Sequence, residues 1–168
     1  EKAAARPTGK TWLAPSAREM FSIVGIGASA GGLEAFMELL KHLPADSGLG
    51  FVLIQHLDPT HESALTQLLG RVTAMPVSEA ADGQAVLPNH VYVIPPNTGL
   101  AIQQGVLVVQ PRPQTAGAQR SIDSFFQSLA EDRRERAICV VLSGTGGDGT
   151  LGAKAIKAGG YDIASVEG

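Results

Sequence analysis

Apolar residues occur along the chain as short continuous runs that alternate with segments of helical spacing. The continuous runs lie at residues 21–26, 51–54, 91–94 and 138–142, and runs of this length predict strands buried on both faces. Apolar residues with helical spacing follow each of the first two runs and precede the last one. They are Leu33, Phe36, Met37, Leu40 and Leu43 after the first run, Leu65, Leu68 and Leu69 after the second, and Ile122, Phe125, Phe126 and Leu129 before the last. This alternation predicts an α/β fold with a three-layer, doubly wound and mainly parallel sheet.

One segment departs from the alternation. Apolar residues 100–102 and 106–109 flank the sequence Gln-Gln-Gly, which is typical of a β-hairpin. We therefore expect the sheet to gain an antiparallel piece. A further short strand is expected to begin near Met75, and residues 161–168 indicate the start of one more strand.

The chain divides into an expected tail and one expected domain. Residues 1–20 are rich in alanine and in small or charged residues, contain two prolines, and lack the apolar core of a signal peptide, so they are interpreted as a tail or linker. Residues 21–168 form the predicted domain, because 168 residues with 44% hydrophobic and 17% charged side chains suit one globular core.

Charge and cysteine content exclude several classes of protein. A formal net charge of -3 gives no argument for nucleic-acid binding. The longest apolar runs have the length of strands, so no membrane span is expected. Cys139 is the one cysteine of the sequence, which excludes a disulfide framework and fits a cytoplasmic protein. The mixed charges of residues 131–136 are interpreted as a solvated helix end.

The first glycine-rich turn, residues 27–32 (GASAGG), joins the first predicted strand to the first helix and contains Ser29. Glycines let backbone N–H groups converge, and the helix that follows adds a positive N-terminus, so Ser29 is a candidate nucleophile beside an anion site. A dinucleotide site is a second interpretation, although Gly25-x-Gly27-x-x-x-Gly31 is one residue longer than the usual pattern. This stretch alone favours a third, in which Ser29 caps the helix.

Two further strand ends change that picture. His56 follows the second strand, and Asp148 lies in a second glycine-rich turn after the strand at 138–142. Parallel strands end at one edge of a sheet, so Ser29, His56 and Asp148 are predicted to meet there as nucleophile, base and orienting acid. His56, Asp58 and His61 do not have the spacing of a metal site, and no metal or cofactor is expected.

The three turns together resemble the CheB-type receptor methylesterase domain of bacterial chemotaxis. The resemblance is carried by the sequences GASAGG, QH at 55–56 and LSGTGGDG at 142–149, with VYVIPP at 91–96 and the helix of Phe125 and Phe126 in support. It extends over about residues 21–160 in the same order. It implies a serine hydrolase on a doubly wound α/β sheet.

The resemblance also implies a substrate and a role for each residue. The family removes methyl groups from glutamate methyl esters on the cytoplasmic helices of chemoreceptors and also deamidates certain glutamines. By motif match Ser29 is the nucleophile, His56 the base and Asp148 the orienting acid. Backbone N–H groups at Thr145 and Ala30 correspond to the oxyanion hole.

The chain departs from the family pattern at several points. Ala30 stands where many members have threonine, and Thr145 where many have methionine. Members of the family usually carry an upstream receiver domain. Sequences with Ser-Ala-Gly-Gly, however, resemble the esterase parts of fusions with a receptor methyltransferase and sensor modules. Receiver, methyltransferase and sensor modules are therefore expected as fused or associated partners. Members continue past the last helix, so the C-terminal end is expected to be truncated. Two alternatives stay open, a non-catalytic docking domain of the same fold and a nucleotide-binding α/β domain.

Overall fold

A computed structural model describes residues 21–28, 33–55, 62–111, 121–142 and 163–166. Its strands are β1 (Ile23–Ala28), β2 (Gly50–Gln55), β3 (Val77–Glu79), β4 (Val91–Val93), β5 (Thr98–Gln103), β6 (Val106–Pro111), β7 (Ala137–Leu142) and β8 (Ile163–Val166). Its helices are α1 (Leu33–His42), α2 (Glu62–Val72) and α3 (Ser121–Arg133), the last followed by a 3-10 turn (Arg134–Arg136). The tail predicted at residues 1–20 lies outside the described residues.

A six-stranded sheet, in the order β3-β4-β2-β1-β7-β8, pairs all of its neighbours in parallel. Every residue of β1 and β2 is buried, which explains why these strands are continuous apolar runs rather than alternating ones. One wing of the sheet contains β2, β4 and β3, and the other contains β7 and β8. The predicted doubly wound, parallel sheet is confirmed, and β1 lies where its two wings meet.

Apolar side chains fill a core layer on each face of the sheet. One layer joins α1 and α2 to the sheet and includes Val24, Ile26, Phe36, Leu40, Phe51, Leu53, Leu65 and Leu69. The other joins α3 and the β5–β6 hairpin to it and includes Val52, Ile54, Leu100, Ile102, Leu107, Ile122, Phe125, Phe126 and Leu129. Helices on both faces confirm the predicted three layers.

Strands β5 and β6 form an antiparallel sheet of their own instead of extending the parallel one. Gln104 and Gly105 make the turn with φ of 52° and 74°, the left-handed pair that suits the twist of a two-residue hairpin. The hairpin is fixed to α3, because Ile102 N–H donates to Ser128 Oγ at 3.1 Å and Gly105 N–H donates to Asp132 Oδ2 at 3.1 Å.

The prediction that residues 131–136 form a solvated helix end is wrong for Arg133. Its side chain is only 6% exposed, with Nε 3.5 Å from Asp132 Oδ2 and the guanidinium carbon 5.2 Å from the centre of the Phe21 ring. The tip of the hairpin folds over the C-terminal turn of α3, so a contact distant in sequence buries this cation. No helix in the described ranges is long and apolar enough to cross a membrane.

Candidate active site

Three strand ends meet at the carboxyl edge of the sheet. Ala28 of β1 lies in register with Gln55 of β2 on one side and with Leu142 of β7 on the other. The chain continues directly into Ser29 after the first of these residues and into His56 after the second. The segments that carry the predicted nucleophile and base therefore leave the sheet from adjacent, aligned positions.

The predicted site residues themselves, namely Ser29, Ala30, His56, Thr145 and Asp148, lie outside the described residues. What the structure describes is the scaffold that carries them. The distances from the Ser29 hydroxyl to the imidazole, and from the imidazole to the carboxylate of Asp148, stay predictions.

Strand β1 lies between the two wings of the sheet, with β2 on one side and β7 on the other. The helix that follows β1, α1, packs on one face of the sheet, whereas α3, which precedes β7, packs on the other. Open α/β sheets bind ligands outside the carboxyl ends of their strands, at the point where the strand order reverses. We therefore expect the site at the carboxyl end of β1.

Two glycines of β1 allow α3 to approach the strand closely. A Cβ atom on Gly27 would lie 2.5 Å from Ile122 Cγ2, and one on Gly25 would lie 3.0 Å from both Phe126 Cε1 and Leu129 Cδ2. A Cβ contact of 2.5 Å is essentially never seen and one of 3.0 Å is unusually short, so a side chain at either position would force its neighbours on α3 to shift. The pattern Gly25-x-Gly27, which raised the possibility of a dinucleotide site, is therefore explained by packing between a helix and a strand.

Gln55 is a residue of this edge that the sequence analysis named only as part of the QH motif at 55–56. It is 6% exposed, and its Oε1 is buried without a hydrogen-bond partner among the described residues. Alternation along β2 directs its side chain toward the α1 and α2 face, as it does for Phe51 and Leu53. The sequence did contain a signal for this position, because Gln55 is a polar residue at the end of an otherwise apolar run, residues 51–54.

Cys139 does not compete with Ser29 as a nucleophile. Its side chain is fully buried in β7. Burial raises the pKa of the thiol far above its usual range, and the negative charge of Asp123 raises it further. Because the thiolate is the reactive form, this cysteine is inert and belongs to the core. Among the residues that the structure describes, no three His, Cys, Asp or Glu side chains are grouped as a metal site.

Comparisons with known proteins agree with this scaffold. A family model described as CheB methylesterase matches residues 24–167. A protein of Pseudomonas aeruginosa named protein-glutamate methylesterase/protein-glutamine glutaminase 2 is 37% identical over 150 residues, which are 86% of this chain and 43% of that protein. A protein of the same name in Burkholderia lata is 38% identical over 148 residues, 87% of this chain and 44% of that protein.

A solved structure gives the same match. The Thermotoga maritima CheB methylesterase catalytic domain superposes with a TM-score of 0.75 at 31% identity, covering 85% of this chain and 78% of that one. The chain spans less than half the length of the two relatives from Pseudomonas and Burkholderia. With a family match over most of its residues and the same fold, the chain belongs to the CheB methylesterase family.

Proposed function

We propose that this chain is a protein-glutamate methylesterase domain, a serine hydrolase that demethylates glutamate methyl esters on the cytoplasmic helices of chemoreceptors and deamidates glutamines there. The observation that carries the proposal is the register of Ala28 with both Gln55 and Leu142. This register brings together the three strand ends after which the candidate nucleophile, base and acid follow in the sequence.

Covalent geometry supports the pairing of Ser29 with His56. Each follows its strand end by one peptide link, about 3.8 Å between Cα atoms, and adjacent strands are about 4.8 Å apart. The two Cα atoms are therefore at most about 12 Å apart, a range that includes the shorter separations at which a serine and a histidine side chain can form a hydrogen bond. Asp148 follows Leu142 by six residues, enough chain to reach the imidazole from the other side of β1.

The proposed chemistry proceeds in two halves. His56 accepts the Ser29 proton as the hydroxyl oxygen attacks the ester carbonyl, and Asp148 orients the imidazole and stabilises the imidazolium. Charge on the carbonyl oxygen faces backbone N–H groups at Thr145 and Ala30. The imidazolium then donates its proton to the leaving methoxide, which departs as methanol. Water attacks the acyl-enzyme by the same route and releases the glutamate carboxylate and the free serine.

The two alternative functions have weaker support. A nucleotide-binding domain would need the glycines of β1 for the approach of phosphates, whereas α3 occupies the space beside them. A docking domain without catalysis would have no use for a serine, a histidine and an aspartate that follow three adjacent strands in the sequence. Proposed partners are methylated receptor helices and fused or associated receptor-methyltransferase, receiver or sensor modules, and the proposed location is the cytoplasm.

Methanol release from a methylated receptor tests the proposal. Ser29→Ala and His56→Ala should each lower turnover by orders of magnitude, because they remove the nucleophile and the base. A fluorophosphonate probe should label the wild type and not Ser29→Ala. Ser78→Ala is the matched control, since Ser78 is exposed on β3 at the far edge of the sheet, and it should release methanol at the wild-type rate.

Circular dichroism checks that each variant is folded. A folded Ser29→Ala protein with wild-type methanol release would refute the mechanism. Stabilisation of the wild type by a nucleotide, with no release of methanol, would favour the nucleotide-binding alternative instead.

A further inference from the structure

The turn that follows β4 lies at the same edge of the sheet as the proposed site. Strand β4 pairs in parallel with β2, and Ile94 N–H donates to the carbonyl oxygen of Leu53 at 2.9 Å. Pro95 therefore leaves the sheet beside Gln55, the last residue of β2. His56 follows Gln55 in the sequence, so the turn after β4 and the segment of the proposed base start from neighbouring strand ends.

The open end of the β5–β6 hairpin lies at this edge as well. Its tip is held at the C-terminal turn of α3, where Gly105 N–H donates to Asp132 Oδ2 at 3.1 Å. The first turn of α3 lies at the other end of the sheet, because Ile122 packs against Gly27 near the carboxyl end of β1. The hairpin therefore runs between the two edges of the sheet, and the end of β6 at Pro111 lies at the carboxyl edge.

Together these two segments form one uncharged surface, because Thr98, which follows the turn, pairs with Pro111. We call this surface the amide rim, and its residues are Pro95, Pro96, Asn97, Gln110 and Pro111. Asn97, Gln110 and Pro111 are exposed, and the other two prolines are half-buried. No residue from 91 to 111 has a charged side chain, so the polar groups that the rim offers are neutral amides.

The turn of the amide rim has a restrained backbone. The proline rings fix φ at Pro95 and Pro96, and Thr98 Oγ1 donates to the carbonyl oxygen of Pro95 at 2.8 Å. Asn97 adopts a φ of 53°, a conformation that asparagine tolerates better than most residues. A surface that is already ordered loses little conformational entropy when a partner binds, which suits a docking site.

The proposed substrate has the chemistry that complements this surface. Glutamyl methyl esters and glutamines are uncharged, their carbonyl oxygens accept hydrogen bonds from amide N–H groups, and glutamine also donates. The product of demethylation is a carboxylate, which a neutral surface retains less strongly than a cationic one. An uncharged surface therefore suits an enzyme that converts a neutral side chain into an anion.

We propose that the amide rim is the surface on which the receptor helix docks, with Asn97 and Gln110 binding uncharged glutamine and glutamyl ester side chains of that helix. The inference rests on the proposed function and adds the place where its substrate binds. The rim acts in binding and takes no part in the chemistry.

The test adds a negative charge to the rim of the full chain. Asn97→Asp and Gln110→Glu each replace an amide with a carboxylate of similar shape, and aspartate also tolerates the left-handed conformation. Each carboxylate repels the glutamates that demethylation leaves on the helix. KM for a methylated receptor should therefore rise by between about twofold and about fivefold at about 0.1 M ionic strength, and the rise should vanish near about 1 M. The kcat for methanol release should not change.

Gln103→Glu is the matched control on the same hairpin. Gln103 is exposed on β5 and lies four residues from Gly99, the partner of Gln110, a distance of about 13 Å. The same added charge near the hairpin tip should leave KM for the receptor unchanged. Hydrolysis of p-nitrophenyl acetate should be at the wild-type rate in all three variants, because so small an ester does not reach the rim, and this rate also shows that each variant is folded.

Each remaining result counts against the inference. An unchanged KM for the receptor in both rim variants would overturn it, and so would an equal rise in Gln103→Glu, because the effect would then come from net charge. Slower hydrolysis of the small ester by both rim variants would assign Asn97 and Gln110 to the chemistry instead of docking. If the wild type neither releases methanol nor labels at Ser29, the proposed function itself fails, whereas an active wild type isolates the failure to the rim.

Discussion

The contact between β1 and α3 makes Gly27→Ala a sharp test of the packing under the site. The added Cβ would lie 2.5, 3.1 and 3.3 Å from three side-chain carbons of Ile122, whereas non-bonded carbons prefer about 3.5–4.0 Å. Ile122 is 3% exposed, and a β-branched residue in a helix has one strongly preferred rotamer. The side chain cannot rotate away at low energy, so α3 itself must shift.

The expected destabilisation follows from two opposing terms. Overpacking a close-packed core costs about 1–3 kcal/mol, while replacing glycine with alanine stabilises by about 0.4–1 kcal/mol through the unfolded chain. The free energy of unfolding should therefore fall by about 1–2 kcal/mol, which corresponds to a Tm lower by about 2–8 °C for a chain of this size. Urea unfolding followed by circular dichroism measures this difference.

Gly70→Ala provides the matched control. Gly70 lies in α2, is exposed, and has no atom within 4 Å of an added Cβ, so the same change should stabilise the protein by up to about 1 kcal/mol through helix propensity. Introducing Gly27→Ala into an Ile122→Ala background should remove its cost, because the three contacting atoms are gone. A Gly27→Ala protein as stable as the wild type, or a cost that persists in that background, would refute the reasoning.

Two further predictions concern the site and the core. Asp148→Asn should remain folded but lose roughly 10⁴-fold in turnover, the loss seen when the orienting acid of a Ser-His-Asp triad is replaced by its amide. Methanol release measures the turnover, and circular dichroism checks the fold. Full activity of this variant would show that Asp148 is not the orienting acid. The folded pKa of Cys139 is raised above its unfolded value by burial and by Asp123, so the folded state retains its proton longer. The stability it contributes is complete below about pH 8.5 and falls by up to about 1.4 kcal/mol per pH unit above that. Urea unfolding of the wild type should show this decrease in the free energy of unfolding between about pH 8 and about pH 10. Above about pH 10 Tyr92 adds a decrease of its own, because burial raises its pKa too. A Cys139→Ala protein whose stability falls with the same slope would contradict the prediction.

Patterns of apolar residues were sufficient to predict the strands, the helices and their alternation, because burial on both faces of a parallel sheet leaves a continuous run that is easy to recognise. The end of β1 was less predictable. The sequence interpretation placed Gly27 in the turn, whereas the strand extends to Ala28. Glycine normally weakens a strand, and only the approach of Ile122 from α3, a residue distant in sequence, explains its presence inside one.

Contacts distant in sequence also explain the other differences. The burial of Arg133 depends on Phe21 and on the hairpin tip, neither of which the spacing of α3 encodes. The sequence predicted that Ser29 and His56 follow strands of the same sheet. That their strand ends are adjacent and in register is set by pairing across β1 and β2, which no local pattern determines.

Gly25 and Gly27 belong to the scaffold that carries the proposed site. Both allow α3 to pack against β1, so substitutions there should change stability first and turnover only through it. Ser29 follows β1 directly, and its proposed role is chemical, so Ser29→Ala should lower turnover without a comparable loss of stability. A loss of stability in Gly27→Ala, beside a loss of turnover alone in Ser29→Ala, would therefore separate the scaffold from the catalytic residues.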